Sequence, residues 1–283
     1  MVRADKLPRI GAHLGVGKGL KHTADQVIEN GLESLQIFLR NPRGGKAREL
    51  TKEEVGYFKE KITGHGIKPV VVHIPYVCNP AAVKEELYQF ALEVVKSDLE
   101  RCDYIDADFL VLHPGSYTNS TLEAGIERVA GLLNRVLKGY EGKVKILLET
   151  MSGQGKEIGQ TFEELQTILQ LIKYPEKLGI CFDTCHAFAS GYDCSNESGI
   201  NSIIGTLGKT IGLNRIHVVH ANDSTRELGS KRDRHAHIGK GFIGLDGFKA
   251  LMKNDFLKNL PFILETPAGE LDHDIEILKQ IRM

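Results

Sequence analysis

The sequence has no surplus of either charge: 36 Lys and Arg meet 37 Asp and Glu, for a formal charge of −1. That balance excludes a strongly basic coat for nucleic acid, although a local patch or a bound metal can still create an anion-binding face. Long apolar runs are missing too. None approaches the roughly 20 residues needed to cross a bilayer. The first residues, Met1, Val2, Arg3, Ala4, Asp5 and Lys6, are charged where a secretory leader is apolar, so no membrane partner and a cytoplasmic location are expected. The five cysteines (Cys78, Cys102, Cys181, Cys185 and Cys194) form no C-x-x-C pair, and their odd number leaves at least one unpaired; buried or free thiols are expected. No G-x-G-x-x-G follows the first strand-like run, which speaks against a dinucleotide-binding open sheet. With no Ser/Pro-rich linker, low-complexity tract or shift in composition, residues 1–283 read as one domain.

What is present is an alternation. With 41% hydrophobic and 26% charged residues the chain can bury a sizeable core. Short runs rich in Val, Ile, Leu and Phe fall at about 8–13, 34–39, 69–73, 108–113, 144–149, 178–183, 214–220 and 261–265, as strands buried on both faces should. Amphipathic helical patterns lie between them, over 81–101, 122–138 and 162–172. Thr51 before Glu54 and Thr161 before Glu164 have the spacing of capping boxes. Eight strands separated by helices predict an α/β fold, a (β/α)₈ TIM barrel with extended loops at the C-terminal face. A doubly wound open sheet is the alternative.

Six consecutive strand-like runs end on a residue that can bind a metal: His73, His113, Glu149, Asp183, His220 and Glu265. In a barrel these ends converge on one face. One such residue would be an ordinary polar strand end. Three imidazoles and three carboxylates gathered together call for cations. His186, three residues after Asp183, and the pair Asp233 and His235 enlarge the set. Nine ligands of this chemistry exceed one tetrahedral ion and fit two or three, with zinc favoured over manganese or iron and Glu149 suited to bridging. Such a site turns water into a nucleophile, and phosphate-ester hydrolysis follows most directly. Residues 40–48 carry Arg40, Arg43, Lys46 and Arg48 without an acid, and the long, irregular 221–244 loop holds Arg226, Lys231, Arg232, Arg234 and Lys240. Both suit phosphate contacts. Tyr76 is placed to stack or wedge beside a base. His13 ends the first strand and reads as a support to the ligands, whereas His22, His65 and His273 read as solvated.

The motifs His113-Pro114-Gly115-Ser116, Glu149-Thr150-Met151-Ser152-Gly153-Gln154-Gly155, Asp183-Thr184-Cys185-His186-Ala187-Phe188 and His220-Ala221-Asn222-Asp223-Ser224 run through this frame. With Asp233-Arg234-His235, they make the chain resemble the endonuclease IV family, the zinc-dependent apurinic/apyrimidinic endonucleases of DNA base-excision repair. The resemblance implies three zinc ions: His73, His113 and Glu149 on the first; Glu149, Asp183, His220 and Glu265 on the second; His186, Asp233 and His235 on the third. It implies a bridging hydroxide attacking the phosphorus 5′ to an abasic site in double-stranded DNA, with Glu265 and Glu149 catalytic. The products would be a 3′-OH and a 5′-deoxyribose phosphate, with removal of 3′-blocking groups besides. Arg43 and Tyr76 match positions that the family inserts into bent DNA. A monomer without an organic cofactor is expected. The rival readings are a metal-dependent sugar isomerase or epimerase on a related barrel and a damage-binding protein without catalysis.

Overall fold

The computed structural model describes residues 7–282; the charged start, residues 1–6, lies outside them. In chain order the elements are β1 (Ile10–Leu14), α1 (Leu20–Glu29), β2 (Ser34–Phe38), α2 (Lys52–Gly64), β3 (Val70–His73), α3 (Glu85–Tyr104), β4 (Phe109–Leu112) and α4 (Leu122–Leu137). Then come β5 (Lys145–Glu149), α5 (Phe162–Gln170), β6 (Leu178–Asp183), α6 (Thr184–Ser190), α7 (Glu197–Thr210) and β7 (Ile216–His220). The chain ends with β8 (Asp223–Ser224), β9 (His235–Ala236), α8 (Gly244–Lys253), β10 (Phe262–Leu264) and α9 (Leu271–Ile281). Eight strands close as β1-β10-β7-β6-β5-β4-β3-β2. The closing pair is parallel, with Ile10 opposite Phe262 and Gly11 opposite Ile263. Closure rejects the open sheet and leaves the expected TIM barrel.

Strand alternation divides the core in two. Leu35, Ile37, Val70, Val72, Leu110, Leu112, Ile146 and Leu148 point outward and pack with the helices. Val71, Val111, Leu147, Cys181, Val218 and Ile263 form a separate buried cluster inside the barrel. Two residues beyond each of these six stand His73, His113, Glu149, Asp183, His220 and Glu265. Period-two geometry keeps both members of each pair on one side, so the polar ends form a layer directly above an apolar plug.

The helices fall close to expectation with instructive departures. Helix α3 begins at Glu85 rather than 81, and Val83 is exposed instead of packed. Thr51 and Glu54 make the full reciprocal capping box. Thr161 only half fulfils its expectation: it accepts from Glu164 N (3.2 Å), but the Glu164 carboxylate accepts from Gly159 N (2.7 Å) and Gln160 N (3.2 Å) instead of returning to the cap. It thereby braces the loop that follows Glu149. The 221–244 loop is also more ordered than its irregular sequence suggests. Strands β8 and β9 pair antiparallel within it. All five cysteines are buried and free. Among the described residues no helix is long and apolar enough to cross a membrane.

Candidate metal centre

Each strand delivers its terminal side chain to the barrel mouth. Oε2 of Glu149 lies 3.2 Å from Nε2 of His73 and 3.2 Å from Nε2 of His113. Its other oxygen lies 3.0 Å from Nδ1 of His220, and the same nitrogen lies 3.0 Å from Oε2 of Glu265 and 3.9 Å from Oδ2 of Asp183. Asp183 caps α6 by accepting from His186 N at 2.7 Å, which turns His186 back over the mouth. The hairpin brings in the last pair: Oδ1 of Asp233 sits 3.3 Å from Nε2 of His186 and 3.1 Å from Nε2 of His235. Ligand atoms converge in adjoining groups, His73/His113/Glu149, Glu149/Asp183/His220/Glu265 and Asp183/His186/His235. Glu149 and Asp183 each belong to two of them. All nine residues expected from the sequence are thus brought together. Cys185 also comes within reach of Asp233 and His235, and burial pushes its thiol up to about 12.

Hydrogen bonds fix the imidazoles. Nδ1 of His73 donates to Ile74 O (2.6 Å), Nδ1 of His186 to Thr150 O (2.9 Å) and Nδ1 of His235 to Glu265 O (3.1 Å). With one proton committed to Nδ1, each Nε2 faces the carboxylates as the position for a metal ion or a second proton. Nε2 of His186 and of His235 is buried without a hydrogen-bond partner. A ring nitrogen facing carboxylate oxygens needs a proton or a metal ion between them, which is the chemistry of a His/carboxylate metal site.

Charge within the cluster follows the same logic. Burial would push the Glu149 carboxyl up, but His220 and His113 hold it well below its usual range. Glu265 behaves likewise, held down by His220 and His13 against burial. Burial opposes the charged form of His235, yet Asp233 and Asp183 raise it to about 9. His186 is raised well above its ordinary value against burial by Asp183 and Asp233. The carboxylates therefore recruit positive charge, and metal ions would replace protons there.

The supporting residues were only partly legible. His13 lies as expected beside a ligand, its Nδ1 3.3 Å from Oε1 of Glu265. Asn222 bridges two strand ends: Nδ2 donates to Asp183 Oδ2 (2.7 Å) and Oδ1 accepts from Glu265 N (2.9 Å). Gln36, buried in β2, went unnoticed as one amide in an apolar run. His22, His65 and His273 are exposed, as expected.

The basic rim is smaller than the sequence suggests. Arg40 is buried in an ion pair with Asp98, and Arg48 pairs with Glu54. Arg43 and Lys46 remain exposed. Asn41 shapes the turn beneath Arg43, its Oδ1 accepting from Arg43 N at 2.9 Å. Tyr76 is 60% exposed, its ring set edge-on to Phe38 at 5.3 Å and 5.8 Å from His73. An aromatic face therefore stands free beside the ligands.

Residues 24–281 match the family described as xylose isomerase-like TIM barrel. A protein of Chloroflexus aurantiacus named probable endonuclease 4 is 43% identical over 265 residues, 93% of each chain. One of Clostridium beijerinckii with the same name is 40% identical over 276 residues, covering 96% of this chain and 98% of its own. The crystal structure of endonuclease IV from Thermus thermophilus superposes with a TM-score of 0.86 at 33% identity, over 97% of this chain and 98% of that one. A D-tagatose 3-epimerase-like protein superposes at 0.70 with 22% identity over 96% of both chains, a likeness of fold alone.

Proposed function

The chain belongs to the endonuclease IV family, and from that premise we propose that it hydrolyses the phosphodiester bond 5′ to abasic sites in double-stranded DNA, leaving a 3′-OH and a 5′-deoxyribose phosphate. The observation that carries the reading is the convergence of eight His, Asp and Glu side chains in adjoining groups that share Glu149 and Asp183, with Asp233 joined to them through His186 and His235. Shared carboxylates suit neighbouring ions. Three zinc ions fit the donors: His73, His113 and Glu149 for one; Glu149, Asp183, His220 and Glu265 for the next; His186, Asp233 and His235 for the third. Zinc there supplies Lewis acidity toward phosphoryl oxygens and brings the ionisation of water toward neutral pH.

The chain's own groups do the rest. Glu265, 12% exposed and bordering the opening, takes or orients the proton of the attacking water, and Glu149 holds two ligand groups at fixed separation. Arg43 and Tyr76 enter the duplex beside the lesion, where the missing base lowers the cost of extruding the nucleotide. The same centre removes 3′-blocking groups, and the protein acts as a monomer.

The test is incubation of metal-free and zinc-loaded protein with a duplex carrying one abasic site, followed by analysis of the ends. Zinc-dependent incision on the 5′ side is expected. Equal cleavage without metal would remove the metal mechanism, and zinc-loaded protein that leaves the duplex intact would remove the activity.

A further inference from the structure

Gln36 is an uncharged amide on β2 that reaches the barrel mouth and touches two proposed ligands there, Glu265 and His220. It is fully buried in β2, between Leu35 and Ile37, which face the helices. Its Nε2 lies 2.6 Å from Oε1 of Glu265 and 3.0 Å from Nδ1 of His13, and its Oε1 lies 2.8 Å from Nε2 of His220. The amide has only one chemically reasonable orientation. Turned over, it would set a carbonyl oxygen 2.6 Å from a carboxylate oxygen, two acceptors without a proton. With Nε2 on Glu265, the carbonyl must accept from His220, so His220 carries its proton on Nε2. The lone pair is then on Nδ1, the nitrogen 3.0 Å from both Glu149 and Glu265.

We propose that Gln36 is the positioning residue of the second metal group: it imposes the Nε2–H tautomer on His220, so that this imidazole binds through Nδ1, and it orients Glu265 through the same amide. This rests on the metal centre proposed above. His220 is distinctive in consequence. His73, His186 and His235 commit Nδ1 to backbone carbonyls and offer Nε2, whereas His220 is reversed. A backbone carbonyl cannot serve in place of Gln36 here, because Nε2 of His220 points across the barrel toward β2, where a side chain must cross the gap.

Two variants separate the functions of the amide. Gln36→Met keeps the bulk and removes both hydrogen bonds. Gln36→Glu keeps the acceptor for His220 and replaces the donor to Glu265 by a second carboxylate. The readouts are zinc retained per chain under graded chelation, the His220 tautomer by long-range ¹H–¹⁵N correlation in the zinc-loaded protein, and kcat against KM on an abasic duplex. In the parent, His220 is expected as the Nε2–H form. In Gln36→Met one zinc is expected to bind about 10–100-fold more weakly while two stay, the magnitude usual for losing a ligand's hydrogen-bonded support. The His220 Nε2–H signal is lost, and kcat falls with KM little changed. In Gln36→Glu the His220 tautomer persists while zinc affinity still drops.

Unchanged zinc affinity together with an intact Nε2–H signal in Gln36→Met overturns the inference. If Gln36→Met does not fold, Gln36→Glu decides alone, and parental zinc affinity there overturns the claim on Glu265. A parent chain that takes up no zinc removes the metal centre itself, a result distinct from variants that match a zinc-loaded parent.

Discussion

Arg40 lies along Asp98 with Nε 2.8 and 2.9 Å from its two carboxylate oxygens and a terminal nitrogen 2.6 Å from one of them. Asp98 is fully buried and Arg40 nearly so. The same guanidinium donates to Gly45 O at 2.7 Å, so the pair anchors the turn that displays Arg43. Removing Arg40 leaves the buried acid its weaker partner Arg101, whose Nε lies 3.9 Å away. Arg40→Ala should cost about 3–5 kcal/mol, the range for breaking a buried pair from one side. Arg40→Met combined with Asp98→Asn should recover much of that loss. Urea unfolding of the single and double variants measures both; an Arg40→Ala variant as stable as the parent would deny the pair its anchoring role.

The division of the basic segment makes a second prediction about DNA. Arg43 and Lys46 are exposed, whereas Arg40 and Arg48 spend their charge on Asp98 and Glu54. Each phosphate contact contributes roughly 0.9 to the slope of log affinity against log salt. Replacing Arg43 and Lys46 together by Ala should lower that slope by up to about 2. Arg48→Ala should leave it unchanged. Tyr76→Ala should weaken binding of an abasic duplex by about 1–3 kcal/mol, the range for losing one stacking side chain. Fluorescence anisotropy across a salt series separates these effects.

These contrasts also show where sequence reading reaches. The gathering of the six strand-end residues was legible because each follows an apolar run whose period-two partner fills the barrel. His186 was legible because an Asp that caps a short helix places the residue three positions on near itself. The count of four loop cations holds, but how many are free is not legible locally, because Asp98, which neutralises Arg40, lies 58 residues away on another element. Gln36 was invisible for a similar reason: its meaning depends on Glu265, 229 residues distant, and His220, 184 distant. Local pattern reports what one element presents, and pairing across the barrel exists only once it closes.

Glu265→Gln tests the proton-handling role. The neutral amide keeps the shape and removes the charge, so turnover should fall by about 10²–10⁴, the usual contribution of a positioned acid or base. Binding of the abasic duplex should change little. Zinc content is measured in parallel, because Glu265 belongs to a proposed ligand group. Parental turnover in this variant would take Glu265 out of the mechanism.

A pH effect is expected where β1 meets the residue after α9. Glu33 accepts from Ile10 N at 3.0 Å and pairs with Arg282 just beyond α9. Burial would raise its pKa, but Arg282 and the Ile10 amide outweigh it and bring it below the ordinary 4.5. The folded value lies below the unfolded one, so the added stability is present above 4.5 and drains as pH falls through the lower folded value. Glu33→Gln should therefore unfold more easily than the parent at neutral pH, with the difference shrinking as pH falls below 4.5 and the parent's carboxylate protonates. Thermal melts of both proteins from neutral to acid pH measure it. A difference independent of pH would mean that the charge of Glu33 does not matter.

Asp223 is expected to govern the third ligand group without touching it. Its carboxylate accepts from Ser224 N (2.7 Å), Gly239 N (3.0 Å), Gly241 N (3.0 Å), Ile243 N (3.0 Å) and Gly244 N (3.2 Å). One acid thus gathers the backbone on both sides of the segment carrying Asp233 and His235, and Asp223 itself pairs with Ala236 across the hairpin. Gly241 fits because it has no side chain: a Cβ there would lie 2.3 Å from Ser224 O and 2.4 Å from Oδ1 of Asp223. The network reaches the barrel only through the start of α8, at Ile243 and Gly244, and none of these five donors lies on a barrel strand, so Asp223→Ala should leave far-ultraviolet circular dichroism largely intact. Amide exchange at 239–244 should accelerate, and the zinc proposed at His186, Asp233 and His235 should be the first lost to a chelator. Gly241→Ala should act the same way through steric overlap. Parental exchange rates together with three retained zinc ions in both variants would show that the hairpin holds Asp233 and His235 in place without Asp223.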